Sequence, residues 1–394
     1  MGVSLFMEGI RIDMSERDPF EHPIPASGGR PWRQASEGPV NWQVAEQVAA
    51  WMARESAEGV SQCASDLRFD ELFRVVELRT ESLVPPLPPG TVSVFSPSLV
   101  SSQEWARSSV QEFKYTLETI ASRLTAASEV GPGEIGPVQA IVGPIMPVLL
   151  GAQFGLLLGK MAAWIWSGFD VLLPRTAAPE AKVLPAAVTR SAASYGVDQN
   201  DAGLWVCLHE YAHLRQFMVP WLRRFLAIGV QRAVSEIRFD PEAVADKVST
   251  LDPSDPSSFE TFAQDPTGLL EALIVPPPVA ATDLLRSCIA VLEAYAEHIC
   301  AVAAVQIARD PDKAREVMHR HHFDRGSAER LLLRLSGIEL DSHEFATALA
   351  FCQFVTAEEG IETLQRLWKG PKYLPTFEEM QDPRRWLDRT AQSE

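Results

Sequence analysis

Positive charge is scarce in this chain. Lysine and arginine total 35 against 52 acidic residues, a formal net charge of −17. Phosphate backbones and anionic lipid surfaces are held by clustered cations, so neither a nucleic acid nor a membrane is an expected partner. Paired cysteines are also lacking. Cys63, Cys207, Cys288, Cys300 and Cys352 make an odd set with no CxxC spacing. That argues against a disulfide framework and a thiolate zinc site, and it reads as reduced thiols in the cytoplasm. The first residues, MGVSLFMEGIRIDMSERDPF, carry early acids and no long apolar run behind a basic start, so no secretory signal is expected. No GxSxG elbow, phosphate-binding GxxxxGK loop or GxGxxG turn occurs, which removes serine-hydrolase and nucleotide-binding readings. Strand signals and internal repeats are few or absent.

What is present is helical periodicity. With 394 residues and 46% hydrophobic content, the chain can build a large core unaided. Residues 1–38 are rich in Pro, Gly and charge and read as an irregular extension. Residues 39–394 read as a single, mainly α-helical domain. Val44, Val48 and Met52 recur at four-residue steps behind Asn41, a candidate N-cap. DELFRVVELRTESL and SSQEWARSSVQEFKYTLETIASRLTAA continue the helical period. The most apolar stretch, 146–173, is long enough to span a bilayer. It contains Gln153, Lys160 and Asp170 and steps glycine at 151, 155 and 159. It reads as a buried central helix whose glycines admit a close neighbour. Residues 250–282 read as a long loop with a short helical piece.

The chemistry lies in LWVCLHEYAHLRQF, residues 204–217. On a helix, His209 and His213 share one face and can aim both imidazoles at one ion. Glu210 stands a step round the same turn. In an HExxH site, two histidines hold Zn²⁺, and the glutamate takes a proton from a water whose pKa the metal lowers towards ~7. The same five residues also occur in helices without a metal. The metzincin extension is excluded, because Gln216 and Val219 stand where its glycine and histidine would fall.

A third ligand has two carboxylate candidates. Glu236 lies 23 residues past His213, with Asp240 four later; Glu293 lies 80 past it, with Glu297 four later. Spacing favours Glu236. Burial favours Glu293, because DLLRSCIAVLEAYAEHICAVAAV is mostly apolar and an acid embedded there needs a partner. Either pair offers a ligand and a carboxylate one turn on that could orient a ligating histidine. His298, beside Glu297, is a candidate for orienting a ligand or donating to a substrate oxygen. The run MHRHHFDRG, with His319, His321 and His322, reads as a basic, solvated helix end.

VNWQVAEQVA, GAQFGLLLGKMA, LWVCLHEYAHLRQFMVPWL, VLEAYAEHI, AERLLLRLSGIEL and LWKGPKYLPTFEEMQDPRRWLDR occur here in one order. In these the chain resembles the zincin-like type 2 metallopeptidase family of actinobacteria and relatives, hydrolases often labelled as associated with coenzyme F420 biosynthesis. The resemblance implies a zincin-like helical metalloprotease domain with HExxH on a central helix and a bound zinc ion. Carried over by position, His209, Glu210 and His213 fall on its HExxH and Glu293 on its acidic element, which decides for Glu293 over Glu236. Three positions depart from the family pattern: Ala294 replaces a glycine, Glu297 an aspartate and Ala301 a further aspartate. The expected function is zinc-dependent hydrolysis of a peptide or small amide substrate. His209, His213 and Glu293 would hold the metal, Glu210 would act as general base, and Glu297 and His298 would stand behind the ligands. The alternative is a zincin scaffold that binds without catalysis.

Overall fold

The computed structural model describes residues 4–7, 10–13, 38–57, 67–91, 95–129, 146–175, 177–239, 274–275, 277–323 and 325–392. Helices dominate, as the periodicity predicts, and the described strands form only three two-stranded pairings. Ser4–Met7 and Ile10–Asp13 pair antiparallel inside the stretch expected to be irregular. Ser98–Leu99 runs parallel to Lys182–Val183, and Arg238–Phe239 pairs antiparallel with Ile274–Val275. Most of the loop expected over 250–282 lies outside the described residues, as does Asp240.

Asn41 caps the Trp42–Ala57 helix as expected, its Oδ1 accepting from Val44 N at 3.1 Å. Helix Met146–Met161 packs against it along the glycine stripe. A Cβ on Gly155 would stand 2.6 Å from Ala45 O, and one on Gly159 would stand 2.6 Å from Met52 Cβ. The backbones therefore touch where those side chains are missing. The expected central helix over 146–173 is shorter than the apolar run. It ends near Met161, and the chain continues without α-helix to a 3₁₀ turn at Gly168–Asp170. Asp170 enforces the turn, its carboxylate accepting from Trp166 N at 2.7 Å and Ser167 Oγ at 2.8 Å.

The centre of the molecule is helix Gln199–Phe217, here the histidine helix. Asp198 caps it, accepting from Asn200 N at 2.9 Å and Asp201 N at 3.2 Å. Every residue from Asp201 to Phe217 is buried, so the helix has no solvent face. That explains its lack of amphipathic patterning: a helix covered on all sides needs none. Helices Phe69–Thr80, Pro185–Tyr195, Pro311–Phe323 and Val279–Ala304 cover it. On the side of Phe69–Thr80, Tyr211 and Arg215 point away from the histidines. Arg215 Nη1 donates to Glu81 Oε2 at 2.6 Å and to Tyr211 OH at 2.7 Å.

The 26-residue Val279–Ala304 helix, here the glutamate helix, supplies the opposite wall. Ala290, Ala294 and Ala296 are fully buried along it. Among the described residues, its segment Ala280–Ala304 is long and apolar enough to cross a membrane, but its most apolar window is 89% buried within the fold.

Candidate metal centre

The two central helices bring His209, His213 and Glu293 together. His209 Nε2 lies 3.1 Å from His213 Nε2. Glu293 Oε2 lies 3.8 Å from the first nitrogen and 3.6 Å from the second. Bond lengths of about 2.0–2.2 Å to a tetrahedral zinc place its ligand atoms roughly 3.3–3.5 Å apart, so the trio has the spacing of a zinc ligand set. Glu293 Oε2 is buried with no hydrogen-bond partner. A buried carboxylate oxygen without a donor is costly, and a cation there would satisfy it. The residues fit the metal. Glu236, the competing third ligand, is exposed at the end of helix Leu222–Ser235.

Protonation agrees with ligation. Burial, then the neighbouring His213, lowers the pKa of His209. Burial opposes the charge of Glu293, but the neighbouring imidazoles of His322, His209 and His213 outweigh it and hold the pKa well below the usual range. The tautomer of His213 follows from Gln216. Gln216 Nε2 donates to Leu292 O at 3.0 Å, so its Oε1 must face His213 Nδ1, 2.7 Å away. Nδ1 therefore carries the proton, and Nε2 keeps its lone pair for the shared centre. The sequence showed Gln216 only as a break in the metzincin pattern.

Glu210 is fully buried on the neighbouring face of the histidine helix. Its Oε2 accepts from Phe169 N at 2.9 Å and its Oε1 from Lys182 N at 2.7 Å. Burial raises its pKa to about 7 against those two amide bonds. The strap carrying both amides is clamped by Glu112. Arg175 Nη1 donates to Glu112 Oε2 at 2.7 Å, Lys182 Nζ donates to its other oxygen, and Arg175 Nη2 donates to Gly168 O.

Glu297 and His298 lie further along the glutamate helix. Glu297 is buried one turn beyond Glu293, its pKa raised to about 7 by burial against Arg315, with Glu293 adding to the rise. His298 Nε2 pairs with Thr356 Oγ1 at 2.8 Å, which directs it to helix Ser342–Glu359. Behind the ligands stand residues read as solvated. His322 packs its ring 4.6 Å from that of His209. His321 stacks on Trp166 at 3.8 Å and pairs with Asp170 Oδ2 at 3.0 Å. Three histidines within four residues, in a chain holding eight, were the signal for them.

An HExxH helix buried in a mainly helical domain, facing a carboxylate from a second central helix, defines a zincin-type architecture. The chain matches the zincin-like metallopeptidase family over residues 40–387 and belongs to it. It is similar in fold to a candidate hydrolase of novel fold from Chloroflexus aurantiacus, with 19% identity and a TM-score of 0.58. That likeness covers 89% of this chain and 99% of the other. A comparison with curated proteins finds no match. Coenzyme F420 appears in none of these findings.

Proposed function

We propose that this chain is a zinc-dependent hydrolase of peptide or amide bonds, with the metal held by His209, His213 and Glu293. The observation that carries the reading is the convergence of three ligand atoms, 3.1 to 3.8 Å apart, inside a zincin-like chain. Zinc bound there supplies Lewis acidity and a water acidified towards neutrality. Glu210 is the proton carrier. Its pKa of about 7 balances uptake against release at neutral pH. Each of its oxygens keeps a lone pair after the bonds from Phe169 and Lys182. Glu210 takes the proton of the attacking water and returns it to the leaving amine.

A cavity of about 80 Å³ adjoins Glu293, lined by Leu172, Ile289, His322, Arg325 and Phe345 among others. One water needs roughly 10–15 Å³ on this scale, so the space suits a side chain or small acyl group, with its apolar part against the leucine, isoleucine and phenylalanine. We propose a peptide or small amide as substrate, with no nucleic acid or membrane partner. The buried thiols Cys207, Cys288, Cys300 and Cys352 fit a reducing compartment, proposed as the cytoplasm.

The test is bound zinc, by mass spectrometry on protein purified without chelator, followed by turnover of a peptide and amide library. Glu293→Ala is expected to lower zinc by one equivalent per chain and Glu236→Ala to leave it unchanged. Zinc that is indifferent to Glu293→Ala overturns the ligand set. A second reading, a zincin scaffold that binds metal without catalysis, is favoured by the backbone amides already holding both oxygens of Glu210. Full zinc with no turnover across the library selects it.

A further inference from the structure

We propose a second divalent-metal site, formed by Asp170, His209 and His322 and joined to the first through His209. The candidate ligand atoms of these three residues lie within 4.8 Å of one another, as do those of His209, His213 and Glu293. Among the described residues the clusters are two trios meeting at His209. Among these residues no set of four shares one sphere. That arrangement separates His322 from the role of a fourth ligand on the first ion.

The two nitrogens of His209 carry the argument. A histidine bound to one metal normally donates its other N–H to a carboxylate, carbonyl or water. His213 obeys this through Gln216, but His209 does not: its Nδ1 is buried without a partner. His322 Nε2 is likewise buried and unpartnered. Two unpartnered imidazole nitrogens on rings 4.6 Å apart, beside a buried aspartate, make a donor set that lacks only its cation.

Asp170 is prepared for ligation. Trp166 N, Ser167 N and His321 Nε2 all donate to its Oδ2, and Ser167 Oγ donates to Oδ1, which keeps a lone pair. His321 is itself fixed by stacking on Trp166. This is the supporting shell that orients a ligating carboxylate. Two imidazoles and one carboxylate form the same donor type as the first trio and suit zinc or a similar divalent transition ion. His322 and Glu293 line one cavity, so one member of each trio faces the same space. To bridge, His209 would bind through Nε2 and Nδ1 and release its remaining ring proton to solvent.

The experiment is zinc titration of the full chain, stripped by chelator, against a chromophoric competitor, with bound zinc counted after desalting. Wild type is expected to hold two zinc ions per chain. His322→Ala and the shape-preserving His322→Phe are each expected to hold one, with unchanged far-UV circular dichroism. Glu293→Ala is also expected to hold one, and the pair Glu293→Ala with His322→Phe none. A single ion in wild type overturns the second site, whether or not His322→Phe weakens it. Two ions retained in both folded His322 variants overturn it as well. If Glu293→Ala keeps two while His322→Phe loses one, the second site stands and the first ligand set fails.

Discussion

Gln216 ties His213 to the opposite helix: its amide oxygen accepts a hydrogen bond from His213 Nδ1 at 2.7 Å while its nitrogen donates to Leu292 O at 3.0 Å. One side chain thus sets the His213 tautomer and ties together the helices that carry His213 and Glu293. Gln216→Leu frees the ring and leaves Leu292 O without this donor. Losing such a support typically costs 10–100-fold in metal affinity. The expected outcome is a zinc dissociation constant raised about 10–100-fold, read by chelator competition, with stability lower by ~1–3 kcal/mol.

Glu210→Gln separates proton transfer from architecture. An amide offers one acceptor where the carboxylate offers two, so either Phe169 N or Lys182 N meets an NH₂ group. A buried donor left unpaired costs about 1–3 kcal/mol. The variant should melt earlier by that amount, keep its zinc and lose turnover. Turnover at the wild-type rate would remove Glu210 from the chemistry.

Glu112 supports Glu210 at a distance. It faces Arg175 and Lys182, both buried, and Glu112→Gln leaves two cations without a counter-charge. Breaking a buried pair from one side costs about 3–5 kcal/mol. Burial works against the Glu112 charge, but Arg175 and Lys182 outweigh it, so its folded pKa lies below the ordinary 4.5. A depressed folded value means the contribution is complete above 4.5 and fades as pH falls through the lowered folded value. Acid unfolding curves of wild type and Glu112→Gln should therefore converge at low pH and stand apart near neutrality.

The glycine stripe is a packing requirement. Gly155→Ala would place a methyl 2.6 Å from Ala45 O and 2.8 Å from Val48 Cβ, both on helix Trp42–Ala57. The helices must separate, at a cost of about 1–3 kcal/mol for overpacking beyond the ~1 kcal/mol that alanine returns in helix propensity. Denaturant unfolding should show a lower midpoint with an unchanged slope.

Local rules made parts of the centre legible. Four-residue spacing placed His209 and His213 on one face, while spacing and burial pointed to different third acids, Glu236 and Glu293, and the family resemblance decided between them. The same rules misread His321 and His322, because a polar helix end looks alike whether it meets water or a buried aspartate. They also ran the 146–173 helix too far, since apolar content does not reveal that Asp170 turns its carboxylate onto Trp166 N and Ser167 N.

By itself the sequence determined the helical class, the placing of His209 and His213 on one helical face and the close approach of two helices along a glycine stripe. Each depends on contacts a few residues apart, where one helical turn converts spacing into geometry. Tertiary structure alone decided that Gln216 orients His213, that backbone amides 28 and 41 residues away hold Glu210, and that Asp170 and His322 stand behind His209. Those partners are set by how buried helices and a non-helical strap pack together, and periodicity along the chain does not encode that packing.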